Sequence, residues 1–130
     1  KARDLQMTSS VFYDASGLSD LNVTTASDML RLTKYIVANH SEIFQWTRIP
    51  NFLVQPMSEL QSRFVQNINP LSGDENFLGG KTGTSPRARE NLVSIFSLGK
   101  YRLAFILLGS RDRAGETRRL LEWVEQAYGL

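Results

Sequence analysis

The sequence predicts an α/β fold in which helices pack on an antiparallel sheet. Residues 77–84, 91–97 and 101–109 each have the composition of a strand. The turn Ser97-Leu98-Gly99-Lys100 between the last two predicts a hairpin. A stripe of apolar residues at helical spacing then predicts a final helix over residues 114–128 that packs on this sheet; its members are Leu120, Leu121, Val124, Ala127 and Tyr128.

The segments before the sheet predict two further helices. Residues 11–25 are rich in Asp, Ser, Gly and Asn and predict a structured loop. Thr24 or Thr25 is then expected to cap a helix that runs to about Asn39, with Asp28 in its first turn.

The middle of the chain is weakly patterned. Residues 41–47 predict a short helix capped by Ser41, and residues 49–75, with their three prolines, predict loops with short strands. By contrast, residues 103–108 form an apolar run without alternation, which predicts a strand covered on both faces.

The amino-acid composition argues against several classes of function. The 130 residues suit one domain, and the absence of cysteine excludes disulfides, thiol catalysis and thiolate metal sites. The net charge is only +2 and no aromatic-plus-basic platform is present, which argues against nucleic-acid binding. The single histidine, His40, lies at a predicted helix end, where a cation suits the helix dipole, so no metal site or cofactor is expected. No apolar run is long enough to span a membrane.

The segment FLGGKTGTS, residues 77–85, combines a lysine with small residues but does not fit a phosphate-binding loop. That motif needs glycine five residues before Gly80, where this chain has Glu75, and a helix afterwards, where it has Pro86 and a strand. A nucleotide-binding function is therefore rejected. Residue types alone favour Lys81 as a solvated lysine at a strand end.

The order of several segments resembles one family, the penicillin-binding serine D-alanyl-D-alanine carboxypeptidases, which are related to class A β-lactamases. The segment LGGKTGTS looks like the Lys-Thr-Gly strand of that family. The matching segments also include LQM-TSSVF-DASGLS, TTASDMLRLTKYI, NIN, NLVSIFSLGKYRLAFILLGS and RRLLEW, in that order. The resemblance implies that residues 1–130 are the C-terminal portion of the catalytic domain, the C-terminal half of a β-lactamase/transpeptidase-like domain. The start at Lys1 is expected to reflect a fragment or a removed leader.

Two motifs of the family are missing from the sequence. No S-x-N occurs, and the one S-x-x-K match, Ser97 to Lys100, falls in the predicted hairpin turn instead of at the start of a helix. Helical spacing is what lets the lysine take the proton of the serine. The chain is therefore expected to lack the nucleophile and to be inactive alone.

The resemblance implies roles for five consecutive residues. Lys81 would place positive charge near the scissile bond and the substrate carboxylate. Thr82 would face away or orient the strand, and Gly83 would leave room for the peptide backbone. Thr84 would give its backbone N–H to the oxyanion hole, and Thr84 or Ser85 would offer a hydroxyl to the terminal carboxylate.

Partners and location follow from the resemblance as well. The implied substrate is a peptidoglycan stem peptide ending in D-Ala-D-Ala, β-lactams are implied ligands, and the site is periplasmic or extracellular. Carboxypeptidase, endopeptidase and transpeptidase activities stay open, as does a non-catalytic module that binds cell-wall peptide or a protein. Exposed sheet surface predicts association with the N-terminal half of the enzyme or with another copy of the chain. Arg87 and Arg89 are expected to be exposed loop charges, with contact to the anionic cell-wall polymer as the alternative.

Overall fold

The computed structural model describes residues 1–57 and 61–129. These residues form three helices, α1 (Ala26–Asn39), α2 (Glu42–Thr47) and α3 (Arg113–Tyr128), and five strands. The strands are β1 (Asn51–Val54), β2 (Arg63–Gln66), β3 (Phe77–Ser85), β4 (Arg89–Leu98) and β5 (Tyr101–Ser110). Within the described residues they make an antiparallel β1-β2 pair and an antiparallel sheet of order β3-β4-β5. The predicted α/β class is confirmed.

The hairpin between β4 and β5 is tighter than the sequence predicted. Leu98 pairs with Tyr101, so only Gly99 and Lys100 form the loop, and Ser97 still lies in β4. Gly99 has a φ of 55°, a left-handed conformation that glycine adopts without steric cost. The glycine therefore fixes the turn, and the turn fixes the register of the two strands.

One face of the sheet carries the core. Phe96 and Phe105 stand on neighbouring strands with ring centroids 5.9 Å apart. The cluster of buried side chains on this face consists of Leu71, Phe77, Leu92, Phe96, Phe105 and Leu107, with Leu103, Ala114, Leu121 and Val124 packed against it. α3 thus covers this face through Leu121 and Val124, as predicted.

Two predictions about burial are wrong in part. In β5, Phe105 and Leu107 are buried, but Ala104 and Leu108 on the other face are exposed, because α1 covers that face incompletely. In α3, Leu120, Ala127 and Tyr128 are exposed instead of packed on the sheet. All of these residues are apolar, so their residue type alone does not show which of them are buried.

The N-terminus of α1 is held as the sequence predicted. The Thr25 hydroxyl accepts a hydrogen bond from the Asp28 amide at 3.2 Å, which is a side-chain N-cap. The Asp28 carboxylate is buried and accepts hydrogen bonds from the Ser10 hydroxyl at 2.7 Å and the Ser9 amide at 2.9 Å. By contrast, Ser41 occupies the N-cap position of α2 but makes no side-chain capping bond.

The predicted loop over residues 11–25 is organised by one carboxylate. Asp14 accepts hydrogen bonds from the Asn22 side chain at 2.6 Å and from the amides of Gly17 and Ser19 at 2.9 and 3.0 Å. These donors, the Asn22 amide above all, lower the pKa of Asp14 to about 2. The ionised carboxylate is therefore the form that the folded loop prefers.

The Asp14→Asn variant is expected to unfold at a lower temperature at neutral pH and to lose less stability in acid. A carboxyl group whose folded pKa lies below its unfolded value stabilises the fold above the unfolded value, about 4, and this contribution disappears as the pH falls toward 2. The melting temperature of the variant should therefore change less with pH over this range than that of the wild type. Asp4→Asn is the control, since Asp4 is an exposed carboxylate outside this loop. Parallel acid profiles for Asp14→Asn and the wild type would contradict this role.

Candidate functional site

The Lys-Thr-Gly segment lies on an edge strand. β3 pairs with β4 on one side, where Lys81 faces Val93, Thr82 faces Leu92 and Gly83 faces Asn91. Among the described residues, no strand pairs with the other side of β3. This edge can accept an extended chain through backbone hydrogen bonds.

The direction of the backbone groups along this edge follows from one hydrogen bond. The Gly80 amide donates to the Thr47 hydroxyl of α2 at 3.1 Å, so it points away from β4. In an antiparallel pair, both polar groups of a residue point to the same side and successive residues alternate. Because the register is unbroken from Gly79 to Ser85, the backbone groups of Thr82 and Thr84 also point to the open edge.

Side chains on β3 alternate between the two faces of the sheet. Thr82 is buried beside Leu92 on the face that α3 covers. Lys81 is exposed on the opposite face, and its ammonium group donates a hydrogen bond to the Thr82 carbonyl. The cation is thus held at the open edge of β3 by one of its backbone carbonyls.

Two glycines before Lys81 allow α2 and β4 to approach β3. A Cβ atom on Gly79 would lie 2.4 Å from the Phe44 carbonyl oxygen of α2, and one on Gly80 would lie 2.4 Å from the Val93 carbonyl oxygen of β4. A Cβ atom on Gly83 would have nothing within 4 Å. The start of β3 is therefore packed tightly, whereas the backbone at Gly83 is open to a ligand.

The hydroxyl groups of Thr84 and Ser85 already have partners. Thr84 Oγ1 accepts a hydrogen bond from the Arg113 guanidinium at 2.5 Å, and Ser85 Oγ accepts one from the Ala88 amide at 3.0 Å. Thr84 is exposed, whereas Ser85 is half-buried in the turn to β4. The structure therefore places the Thr84 hydroxyl beside a cation, and it gives Ser85 a role in the turn.

Arg113 is the site residue that sequence reasoning missed. Its guanidinium also donates to the Gly83 carbonyl at 3.3 Å, and its backbone amide donates to the Glu90 carboxylate at 3.0 Å. Arg113 is 29 residues from Thr84 along the chain and has no pattern that links the two. Its position at the start of α3, next to an acidic helix cap, was the only available signal.

The other predicted residues lie away from this edge. Ser97 pairs with Arg102 in the sheet, and Lys100 lies in the turn with Nζ 5.3 Å from the Tyr101 ring centroid, so the two do not form a helical Ser–Lys pair. Arg87 is an exposed turn residue 3.9 Å from Asp20, whereas Arg89 is exposed at the first position of β4.

Neither a metal site nor a membrane span is found in the described part of the chain. No group of three or more His, Cys, Asp or Glu side chains there could hold a metal ion. No helix in residues 1–57 and 61–129 is long and apolar enough to cross a membrane.

Comparison with known proteins identifies the family. Residues 1–112 match the model of the peptidase S11 family, D-alanyl-D-alanine carboxypeptidase. The chain is 35% identical over 97 residues to a D-alanyl-D-alanine endopeptidase from Haemophilus influenzae, a match that covers 73% of the chain and 32% of that protein.

Solved structures agree with this match. Penicillin-binding protein D2 from Listeria monocytogenes, in its cefotaxime-bound form, is similar with a TM-score of 0.80 and 26% identity over 93% of the chain and 50% of that protein. Penicillin binding protein 6B from Escherichia coli is similar in fold, with a TM-score of 0.76 and 23% identity over 96% of the chain and 39% of that protein. The chain spans about a third of the length of the curated relative and half or less of these two structures. The chain belongs to the D-alanyl-D-alanine carboxypeptidase family of peptidases.

Proposed function

We propose that residues 1–130 are the C-terminal portion of the catalytic domain of a serine-type D-Ala-D-Ala carboxypeptidase and form its substrate-binding wall. The observation that carries the proposal is the edge of β3 that no strand of the described residues covers, where the Lys81 ammonium donates to the Thr82 carbonyl. A peptidoglycan stem peptide ending in D-Ala-D-Ala is extended and carries a terminal carboxylate. Both features match an open strand edge flanked by cations.

The peptide would add to β3 as a further antiparallel strand. The amides of Thr82 and Thr84 point to the open edge and are available to its backbone, whereas the Thr82 carbonyl already accepts a hydrogen bond from the Lys81 ammonium. When a serine attacks the scissile carbonyl, negative charge develops on the carbonyl oxygen. A preorganised backbone N–H stabilises that charge, and the Thr84 amide is the donor that β3 supplies. Lys81 adds positive charge on the same edge.

Arg113 extends the predicted carboxylate site. Its guanidinium donates hydrogen bonds to the Gly83 carbonyl and the Thr84 hydroxyl, near the end of the Lys81 strand. A guanidinium binds a carboxylate through two parallel hydrogen bonds. We therefore assign recognition of the terminal carboxylate to the Arg113–Thr84 pair, and we assign Ser85 to the turn.

The nucleophile has to come from another polypeptide segment. Ser97 and Lys100 lie at a hairpin, where the lysine cannot take the proton of the serine. We therefore propose that the S-x-x-K and S-x-N motifs lie in an N-terminal half that packs beside β3. We also propose that the assembled enzyme lies outside the cytoplasmic membrane, where peptidoglycan is found. The similar Listeria protein has been solved with cefotaxime and with ampicillin, so β-lactams are proposed ligands of that assembly.

Labelling with a fluorescent penicillin tests the division of roles. The chain alone should take up no label on a denaturing gel, and its intact mass should not change. A co-purifying fragment that takes up the label would support a divided enzyme with this chain as its substrate-binding part. Label on the chain itself would overturn the exclusion of Ser97. Peptide binding by a chain that purifies without any labelled fragment would instead match a truncated enzyme or a non-catalytic cell-wall-binding module.

A further inference from the structure

The chain itself occupies part of the open edge of β3. The Gly80 amide already donates to the Thr47 hydroxyl of α2 at 3.1 Å, and the Thr82 carbonyl accepts a hydrogen bond from the Lys81 ammonium. Among the described residues, neither the amide nor the carbonyl of Thr84 has a partner at this edge. A peptide residue can therefore exchange both backbone hydrogen bonds with Thr84 without displacing a group of the protein.

The Thr47 hydroxyl acts as an acceptor toward β3. A threonine hydroxyl carries a single hydrogen. That hydrogen is donated to the Phe44 carbonyl, which lies 3.1 Å from Thr47 Oγ1 within the same helix. The oxygen of Thr47 therefore faces the Gly80 amide with its lone pairs, and it has no hydrogen left to offer to an anionic ligand at the edge of β3.

The end of α2 that carries Thr47 is anchored from two sides. The Asn67 side-chain amide donates to the carbonyls of Thr47 and Ile49, both at 2.9 Å. On the other side, the missing Cβ of Gly79 lets the backbone of Phe44 approach β3 closely. Contacts within the described residues thus hold α2 against the start of β3, so the closure of the edge does not depend on any segment outside them.

The free edge also ends at the opposite side, for a chemical reason. Backbone groups of β3 face this edge at every second residue, so the position after Thr84 in that series is occupied by Pro86, just beyond the last strand residue, Ser85. A proline has no backbone N–H to donate. Between the capped Gly80 and the proline, the edge therefore offers two free amides, those of Thr82 and Thr84.

We propose that Thr47 is a positioning residue that fixes the register of the peptide bound to β3. This role rests on the proposed function of that edge. In the productive register, the scissile carbonyl accepts from the Thr84 amide, and the residue that pairs with Thr84 also donates to its carbonyl. The terminal carboxylate, one residue later in an antiparallel peptide, then lies beside Thr82, where the Lys81 ammonium supplies positive charge.

Both shifted registers are disfavoured by residues that bracket the free edge. A shift of two residues toward α2 would place the carboxylate beside Gly80. The amide there is already bonded, so the carboxylate would meet the oxygen atoms of Thr47 and of the Gly80 carbonyl without a donor. A shift of two residues in the other direction would place the scissile carbonyl at Pro86, which has no N–H. The register that uses the Thr84 amide is the one that remains.

Thr47→Ala tests this role, with Thr47→Ser as the matched control that keeps the hydroxyl. Each ¹⁵N-labelled protein is titrated with an acetylated peptide ending in D-Ala-D-Ala. In the wild type and in Thr47→Ser, the amide signal of Thr84 should shift and that of Gly80 should not. In Thr47→Ala, the freed Gly80 amide should exchange its hydrogen at least about tenfold faster before peptide is added. Its signal should then shift on titration, and the shift at Thr84 should decrease, because the peptide populates both registers.

Two results would overturn the role of Thr47. One is a wild type in which the Gly80 signal shifts as much as that of Thr84, and this result does not require that Thr47→Ala folds. The other is a folded Thr47→Ala variant that binds with the wild-type pattern of shifts although its Gly80 amide exchanges rapidly, since Thr47 would then only support the fold. A wild type in which no amide of β3 responds to the peptide contradicts the proposed function, and the role of Thr47 with it. Shifts at both Thr84 and Gly80 in the wild type contradict the register alone.

Discussion

Replacing Gly79 with alanine should lower the free energy of unfolding by about 2–5 kcal/mol, the largest effect expected of a single methyl group in this chain. The new Cβ atom would lie 2.4 Å from the carbonyl oxygen of Phe44 and 2.8 Å from two further backbone atoms of that residue. A backbone cannot yield as the end of a side chain can. The φ of 141° at Gly79 adds strain, since side chains with a Cβ rarely adopt it. Thermal unfolding should show a decrease in Tm of roughly 10 °C or more.

Gly83→Ala is the matched control in the same strand. The added Cβ has nothing within 4 Å, and the φ of Gly83 is not in the left-handed range. Its free energy of unfolding should therefore stay within about 0.5 kcal/mol of the wild type. Equal effects of the two substitutions would contradict the close approach of α2 to β3 at Gly79.

Lys81→Met should reduce the affinity for a peptide ending in D-Ala-D-Ala by roughly 10- to 100-fold, the loss expected for a hydrogen bond to a charged group. Methionine keeps much of the length of the side chain and removes its charge. Because Lys81 is exposed, the melting temperature should not change. The measurement is a titration of the variant with the acetylated peptide, followed by calorimetry or by NMR.

Lys100→Met is the control for the loss of one positive charge. Lys100 is exposed in the turn between β4 and β5, away from the edge of β3, so its replacement should leave peptide affinity unchanged. Arg113→Gln should lose affinity as Lys81→Met does, since Arg113 lies against Thr84. An unchanged affinity in Lys81→Met would remove the lysine from the proposed site.

Local chemistry made much of the fold predictable from sequence. Thr25 caps α1 because a threonine hydroxyl before an apolar periodic run accepts a backbone N–H. Small residues and turn residues in the sequence predicted both the strand that carries Lys81 and the hairpin at Gly99. Each of these signals acts within a few residues, so tertiary packing did not override it.

Features set by distant contacts were not predictable. Arg113 reaches Thr84 only because α3 begins where β5 ends, beside the edge of the sheet. Leu120 and Leu121 are adjacent and equally apolar, yet Leu121 packs on the core and Leu120 faces outward, because their directions on the helix differ by about 100°. Which side chain of the helix is buried depends on the position of the helix over the sheet, and the spacing of apolar residues alone does not determine that position.

The most direct test of the central claim, that the edge of β3 binds the substrate, is an NMR titration of the ¹⁵N-labelled chain. The titrant is an acetylated peptide ending in D-Ala-D-Ala, with the same peptide ending in L-Ala-L-Ala as control. The account predicts that the amide signals of Thr82 and Thr84 shift most, together with those of Lys81 and Gly83, and only with the D-Ala-D-Ala peptide. Shifts confined to other elements, or equal shifts with both peptides, would contradict it.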